Sequence, residues 1–113
     1  FGYFRASWTL RAELVAAFVC RLLNHLKATG AKSVEPALRA SERDMELLPW
    51  IDEENFNPNY LLRAMDMLPK RGTTREWQHT QDHWREAEEF PAIDLEDEVF
   101  VYRWGARSNV AAE

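Results

Sequence analysis

Cysteine is nearly absent from this chain of 113 residues, which contains only Cys20. A single cysteine excludes a disulfide framework, and the sequence therefore predicts a protein of the reducing cytoplasm. Basic residues are also in deficit, with 14 lysines and arginines against 19 acidic residues and a net charge of −5. This balance argues against a nucleic-acid partner or an anionic membrane surface, because both require clustered positive charge.

Long apolar runs and the short motifs of nucleotide or zinc chemistry are missing as well. Polar residues interrupt the most apolar stretch, so a membrane span, which needs about 20 apolar residues, is not expected. GxxxxGK[ST] does not occur, and HExxH fails because Thr80 follows His79. The spacing of His79, His83 and Glu86 on one helix face would suit a divalent metal. Histidines on a polar helix are more commonly solvated, and solvation is the favoured interpretation.

What the sequence does contain is one dominant stretch, residues 6–30, which predicts a single long helix. Ser7 or Thr9 is a suitable N-cap, because its side-chain oxygen can accept a bond from a free backbone N–H. Gly30 suits the left-handed end of a helix, and Lys27 suits its negative end. No proline or other glycine interrupts the stretch.

The apolar face of this helix is unusually wide. It covers about two thirds of the circumference, which is typical of a helix packed between several layers. Arg11 lies inside the apolar arc, where it must reach water or meet an anion because an unpaired buried charge is costly. The rest of the chain has too few apolar residues to cover more than one side of the helix. We therefore expect part of its cover to come from outside this chain.

The remaining elements are predicted to be short, and residues 70–74 form a basic loop that we interpret as a solvated turn. Caps, proline positions and periodicity predict the following: the end of a strand at residues 1–5, an irregular segment at 31–54 with a turn at 41–47, a second helix beginning at Asn57-Pro58 and ending at Pro69, a third helix at 78–89, and a strand at 99–102.

Three blocks of sequence together resemble the C-terminal part of class B flavoprotein monooxygenases, in their Baeyer–Villiger branch. The blocks are Gly2-Tyr3 with ASWTLRAEL at 6–14, then Asn59-Tyr60 with Arg63, then LPK at 68–70 with Gly72 and Trp77. Gln81-Asp82, Phe100 and Arg103 extend the likeness. Pro58-Asn59 and the acidic run at 85–89 depart from the family pattern.

The resemblance implies a fold, a division of the chain and a cofactor. The chain would be mainly α with short β pieces, as a C-terminal fragment of a Rossmann-like α/β flavoenzyme with two dinucleotide-binding domains. Residues 1–30 would end the FAD-binding domain, and residues 31–113 would be a C-terminal extension packed on the parent enzyme. In such enzymes the start of the equivalent helix approaches the pyrimidine edge of the flavin. The implied flavin neighbours, largely through backbone, are Ser7, Trp8, Thr9 and Leu10.

The implied activity is monooxygenation that depends on FAD and NADPH. One oxygen atom from O2 would be inserted into a ketone, giving an ester or lactone, or added to a heteroatom such as a sulfide sulfur. The implied partners are the remainder of the parent enzyme and a small organic ketone or sulfide. GxGxxG and FxGxxxHxxxW are missing here, so we expect the chain to be inactive alone. The alternative is a stand-alone helical interaction module that docks a partner on its wide apolar face.

Overall fold

The computed structural model describes residues 6–51, 54, 58–78 and 80–105. Within them the fold is mainly helical with one sheet of two strands. The helices are α1 (Trp8–Thr29), α2 (Asn59–Ala64) and α3 (His83–Glu89), and the strands are β1 (Ser33–Pro36) and β2 (Phe100–Arg103). Single 3-10 turns lie at Ala40–Glu42, Met65–Met67 and Arg75–Trp77. The chain divides into two units: one comprises the described residues up to Arg39 and from Gln81 onward, and the other lies between Ala40 and Thr80.

Helix α1 confirms the prediction of one long helix. Ser7 occupies the N-cap position, Lys27 lies in the last turn, and Gly30 ends the helix with a φ of 76°. The predicted capping bond is wrong, because neither hydroxyl caps the helix: the Ser7 side chain makes no such bond, and its oxygen lies 2.7 Å from the Thr9 hydroxyl instead. The strand end predicted at residues 1–5 lies outside the described residues.

The first unit joins α1 to α3 and to the small sheet. Strands β1 and β2 are antiparallel, with Ser33 opposite Arg103 and Pro36 opposite Phe100. The prediction of an irregular segment was wrong at β1, because this strand is formed by long-range pairing rather than by a local apolar alternation. The predicted strand at 99–102 is confirmed with a shift of one residue. Helix α3 begins at His83 rather than at 78, because the Asp82 carboxylate accepts the Arg85 N–H and fixes the start there.

The second unit is built from short helical pieces. Helix α2 is shorter than predicted, with Pro58 at its N-cap position and a 3-10 turn beginning at Met65. Asn57, the predicted cap, lies outside the described residues. Ile51 and Met65 are its buried apolar side chains among the residues that the structure describes. In the described part of the chain, no helix is long and apolar enough to span a membrane.

The burial pattern confirms that the chain shields only part of α1. None of the 22 residues of α1 is buried, whereas Ala31 and Val99 beside the sheet are. Trp8 is 68% exposed and Leu23 is 58% exposed. An apolar helix left this bare presents surface that a soluble protein normally covers.

Candidate functional site at the start of the long helix

The four residues that the resemblance marks as flavin neighbours form the first turn of α1. Ser7, Trp8 and Thr9 are exposed and Leu10 is partly buried. The Ser7 carbonyl accepts the Leu10 N–H at 3.1 Å. Trp8 and Thr9 occupy the first two positions of α1, whose N–H groups have no acceptor within a helix, and the Ser7 side chain makes no capping bond to the helix start. These groups and the positive end of the helix dipole suit an electron-rich ligand edge such as the flavin pyrimidine.

One turn further along, Arg11 is bonded to Glu86 of α3. The Arg11 Nε donates to Glu86 Oε2 at 3.0 Å, and its terminal nitrogen donates to Oε1. The two side chains are 15% and 6% exposed. A guanidinium and a carboxylate joined by two parallel bonds form a strong and directional pair. The expectation that Arg11 meets water or an anion is thus resolved in favour of an anion.

A second arginine of α1 holds the chain that follows α3. The two terminal nitrogens of Arg21 donate to the carbonyls of Phe90 at 3.0 Å and Ile93 at 2.9 Å. Between the two arginines, the Phe18 ring lies 6.2 Å from the Phe90 ring in an edge-to-face arrangement. It also lies 6.1 Å from the ring of Phe100 on β2. Arg11, Phe18 and Arg21 share one side of α1, which is therefore its packed face.

The C-terminal end of α1 is tied to the residues around β2. The Trp104 Nε1 donates to the Thr29 carbonyl at 3.0 Å, which satisfies one of the free carbonyls at the end of the helix. The Tyr102 hydroxyl donates to the Leu95 carbonyl. Burial, together with the negative charge of Glu96, raises the pKa of Tyr102 above its ordinary value.

Beside the packed face, α1 carries a row of exposed apolar side chains, which we call the α1 stripe. Its members are Trp8, Ala12, Val15, Val19 and Leu23. Their spacing of four, three, four and four residues keeps them on one side of a helix of 3.6 residues per turn. The stripe extends over about 22 Å at 1.5 Å per residue. Such spacing is typical of a surface that packs against another helix or sheet.

In the second unit, the structure shows a packed loop where a solvated one was predicted. Within residues 70–74, Gly72 is buried, and its N–H donates to the Trp77 carbonyl at 2.7 Å. The Trp77 indole N–H in turn donates to the buried Glu42 carboxylate at 3.1 Å. The solvated interpretation is therefore wrong at Gly72. Nothing in the local spacing marked Glu42 as the partner of Trp77.

The metal candidate loses one of its three residues to another contact. Glu86 is engaged by Arg11, and His79 lies outside the described residues. No group of three or more His, Cys, Asp or Glu side chains that could hold a metal ion is found in the described ranges.

The chain is similar in sequence to several flavin enzymes. It is 45% identical over 84 residues to the FAD-containing monooxygenase EthA of Mycolicibacterium smegmatis, which covers 74% of this chain and 16% of that protein. Its identity to the FAD-containing monooxygenase EthA of Mycobacterium tuberculosis is 38% over 97 residues, or 86% of this chain and 19% of that protein. It is 29% identical over 101 residues to the probable FAD-binding monooxygenase AlmA of an Acinetobacter species, covering 89% of this chain and 20% of that one.

The matched part is small relative to these proteins: the chain spans about a fifth of their length or less. No protein-family model matches the chain, and no solved structure matches it significantly.

Proposed function

Because this chain is homologous to a segment of the FAD-containing monooxygenases, we propose that it forms the C-terminal portion of an enzyme of the Baeyer–Villiger type. The observation that carries this proposal is the 45% identity over 74% of the chain. The proposed reaction uses NADPH and O2 to insert one oxygen atom into a small organic ketone, or to oxidise a sulfide. The proposed location is the cytoplasm, in keeping with a single cysteine.

In this proposal FAD supplies the redox chemistry, and the chain supplies a binding surface for one edge of it. The N–H groups of Trp8 and Thr9 face the pyrimidine edge, with Ser7 and Leu10 beside it. The absence of a capping bond from Ser7 supports this role, since a helix start without a side-chain acceptor can donate to a ligand. The positive end of the α1 dipole favours the negative charge that the reduced flavin carries at this edge.

The remainder of the enzyme is the proposed partner of the α1 stripe. Residues 1–30 end the FAD-binding domain, and residues 31–113 form the extension that packs on the enzyme. The exposure of Trp8 and Leu23 supports this assignment, because a row of apolar side chains on a long helix is normally covered. The packed face of α1 holds α3 and β2, so the stripe is the part left for the rest of the polypeptide.

The test is a flavin titration of two purified proteins, the chain alone and the full-length polypeptide that contains it. We expect stoichiometric FAD in the full-length protein and no tight FAD binding by the chain alone. Oxidation of NADPH that increases with a ketone or sulfide substrate would then define the reaction. Absence of flavin from the full-length protein would overturn the proposal. Sub-micromolar FAD affinity of the chain alone would overturn the expectation that the chain needs the rest of the enzyme to bind flavin.

A stand-alone helical interaction module is the second candidate, and the α1 stripe favours it as well. The two candidates differ in what the gene encodes before Phe1. An in-frame GxGxxG motif after a predicted strand would support the flavoenzyme. A nearby start codon with no such motif would support the interaction module.

A further inference from the structure

The Arg11–Glu86 pair lies beside the proposed flavin-binding end of α1. Side chains on a helix tilt toward its N-terminus, so the long Arg11 side chain extends over the first turn, on the side where Ser7 and Trp8 lie. Glu86 reaches it from α3, 75 residues further along the sequence. The two side chains are only 15% and 6% exposed, so water screens their charges weakly. A full positive charge and its counter-charge therefore stand close to the start of α1.

We propose that Glu86 is a positioning residue that acts through Arg11 to set the electrostatic potential at the start of α1. This inference rests on the proposed function. By pairing with the guanidinium, Glu86 reduces the positive potential that Arg11 adds to that of the backbone N–H groups. The balance between oxidised and reduced flavin then depends on a residue of α3.

The pair has an electrostatic signature that a purely structural contact lacks. Arginine does not lose its proton in proteins. Replacing Glu86 with glutamine therefore leaves a positive charge at this place. That charge favours the anionic reduced flavin over the oxidised form. Removing the Arg11 charge as well cancels the effect, whereas damage to the packing would persist or increase.

Arg21 keeps α3 in place while the pair is altered. Its two bonds go to the carbonyls of Phe90 and Ile93, and neither involves Glu86. The Glu86→Gln side chain has nearly the same shape as glutamate and can still accept one bond from Arg11. The substitution thus changes charge more than geometry.

The experiment measures the two-electron midpoint potential of bound FAD by spectroscopic titration of the full-length protein. The variants are Glu86→Gln and the double variant Arg11→Gln/Glu86→Gln. We expect Glu86→Gln to raise the potential by about 30 mV, which corresponds to about a tenfold change in the relative binding of reduced over oxidised flavin. In the double variant, the relative binding of reduced over oxidised flavin is expected to lie within threefold of the wild-type value.

The control is Glu89→Gln on the same helix. Glu89 pairs with the exposed Arg85 at 2.7 Å one turn away on α3, so this variant removes the same charge from a solvated pair. It is expected to leave the potential unchanged. An unchanged potential in Glu86→Gln, or an equal shift in the single and double variants, would overturn the inference. If Glu86→Gln does not fold, the double variant Arg11→Met/Glu86→Leu is measured instead, because it replaces the pair with apolar side chains. A change of more than threefold in its relative binding of reduced over oxidised flavin would count against the inference.

Failure of this inference is separate from failure of the proposed function. Wild-type protein without FAD would reject the function before any potential is measured. Wild-type protein with FAD, combined with variants of unchanged potential, would reject only the role of Glu86.

Discussion

Leu22 and Leu23 provide a direct test of how much of α1 is covered outside this chain. They are neighbours on one helix, but Leu22 is partly buried in the chain and Leu23 is 58% exposed. Substitution of each by alanine removes the same atoms and changes helix propensity equally. Any difference between the two variants therefore reports on packing alone.

The expected magnitude follows from the exposed fraction of Leu23. Full burial of a leucine side chain stabilises a protein by about 1.5–3 kcal/mol. At 58% exposure, Leu23 realises less than half of this in the chain, so Leu23→Ala should cost about 1 kcal/mol or less there. In the full-length protein a covered Leu23 should cost about 2–5 kcal/mol, the usual range for a buried leucine. Leu22→Ala is expected to cost similar amounts in both proteins.

The assay is urea unfolding, followed by circular dichroism, of each variant in the isolated chain and in the full-length protein. The decisive quantity is the cost of Leu23→Ala in the full-length protein minus its cost in the chain. A difference below about 0.5 kcal/mol, the usual scale for an exposed surface substitution, would refute the reasoning that the α1 stripe is covered there. A midpoint that rises with chain concentration and loses this dependence in Leu23→Ala would instead show self-association through the stripe.

Two further predictions concern Gly72 in the second unit and Tyr102 on β2. In Gly72→Ala the new Cβ would lie 2.6 Å from Met45 Cε and 2.9 Å from Trp77 Cβ. We expect this overpacking to lower the free energy of unfolding, measured with urea, by about 1–3 kcal/mol. The control Gly105→Ala, which has open space around the new Cβ, should show no such loss. The pKa of Tyr102 is raised in the folded protein, so the folded state holds the phenolic proton more tightly. Its contribution to stability should be fully present below pH about 10 and should fall as the pH rises beyond it. Thermal unfolding across this range should show the decline in the wild type, and an equal decline in Tyr102→Phe would contradict its assignment to Tyr102.

The long helix could be predicted from the sequence because its determinants are local. No proline or glycine interrupts the stretch before Gly30, and the left-handed conformation of that glycine ends the helix. The width of its apolar face also predicted correctly that the chain would leave part of it uncovered. These features depend on residue order within a few turns, and a helix is formed by contacts on that scale.

The missed features depend on residues far apart in the chain. Strand β1 consists of Ser33–Pro36 with only one strongly apolar residue, and it is ordered by pairing with β2 near the other end. Glu86 belongs to the acidic run at 85–89, and nothing in that run indicates that it is buried against Arg11. The position of Arg11 inside the apolar arc indicated that it could pair with an anion, but the sequence did not identify which carboxylate would be its partner.

The placement of the proposed flavin site has a similar limit. The first turn of α1 follows from the sequence, since Ser7 precedes an uninterrupted helical stretch. The assignment of Ser7, Trp8, Thr9 and Leu10 to FAD comes from resemblance, and it stays a prediction. Spacing alone identifies a helix start, but a helix start is common to all helices and does not specify its ligand.

The contact between Arg21 and the turn after α3 bears on which substitutions this fold tolerates. Its acceptors are main-chain carbonyls, which every amino acid possesses. Ile93 can therefore be exchanged for many residue types without loss of the bond, whereas Arg21 itself has no substitute that spans both oxygens with a rigid planar group. In related sequences we therefore expect position 93 to vary and Arg21 to be retained.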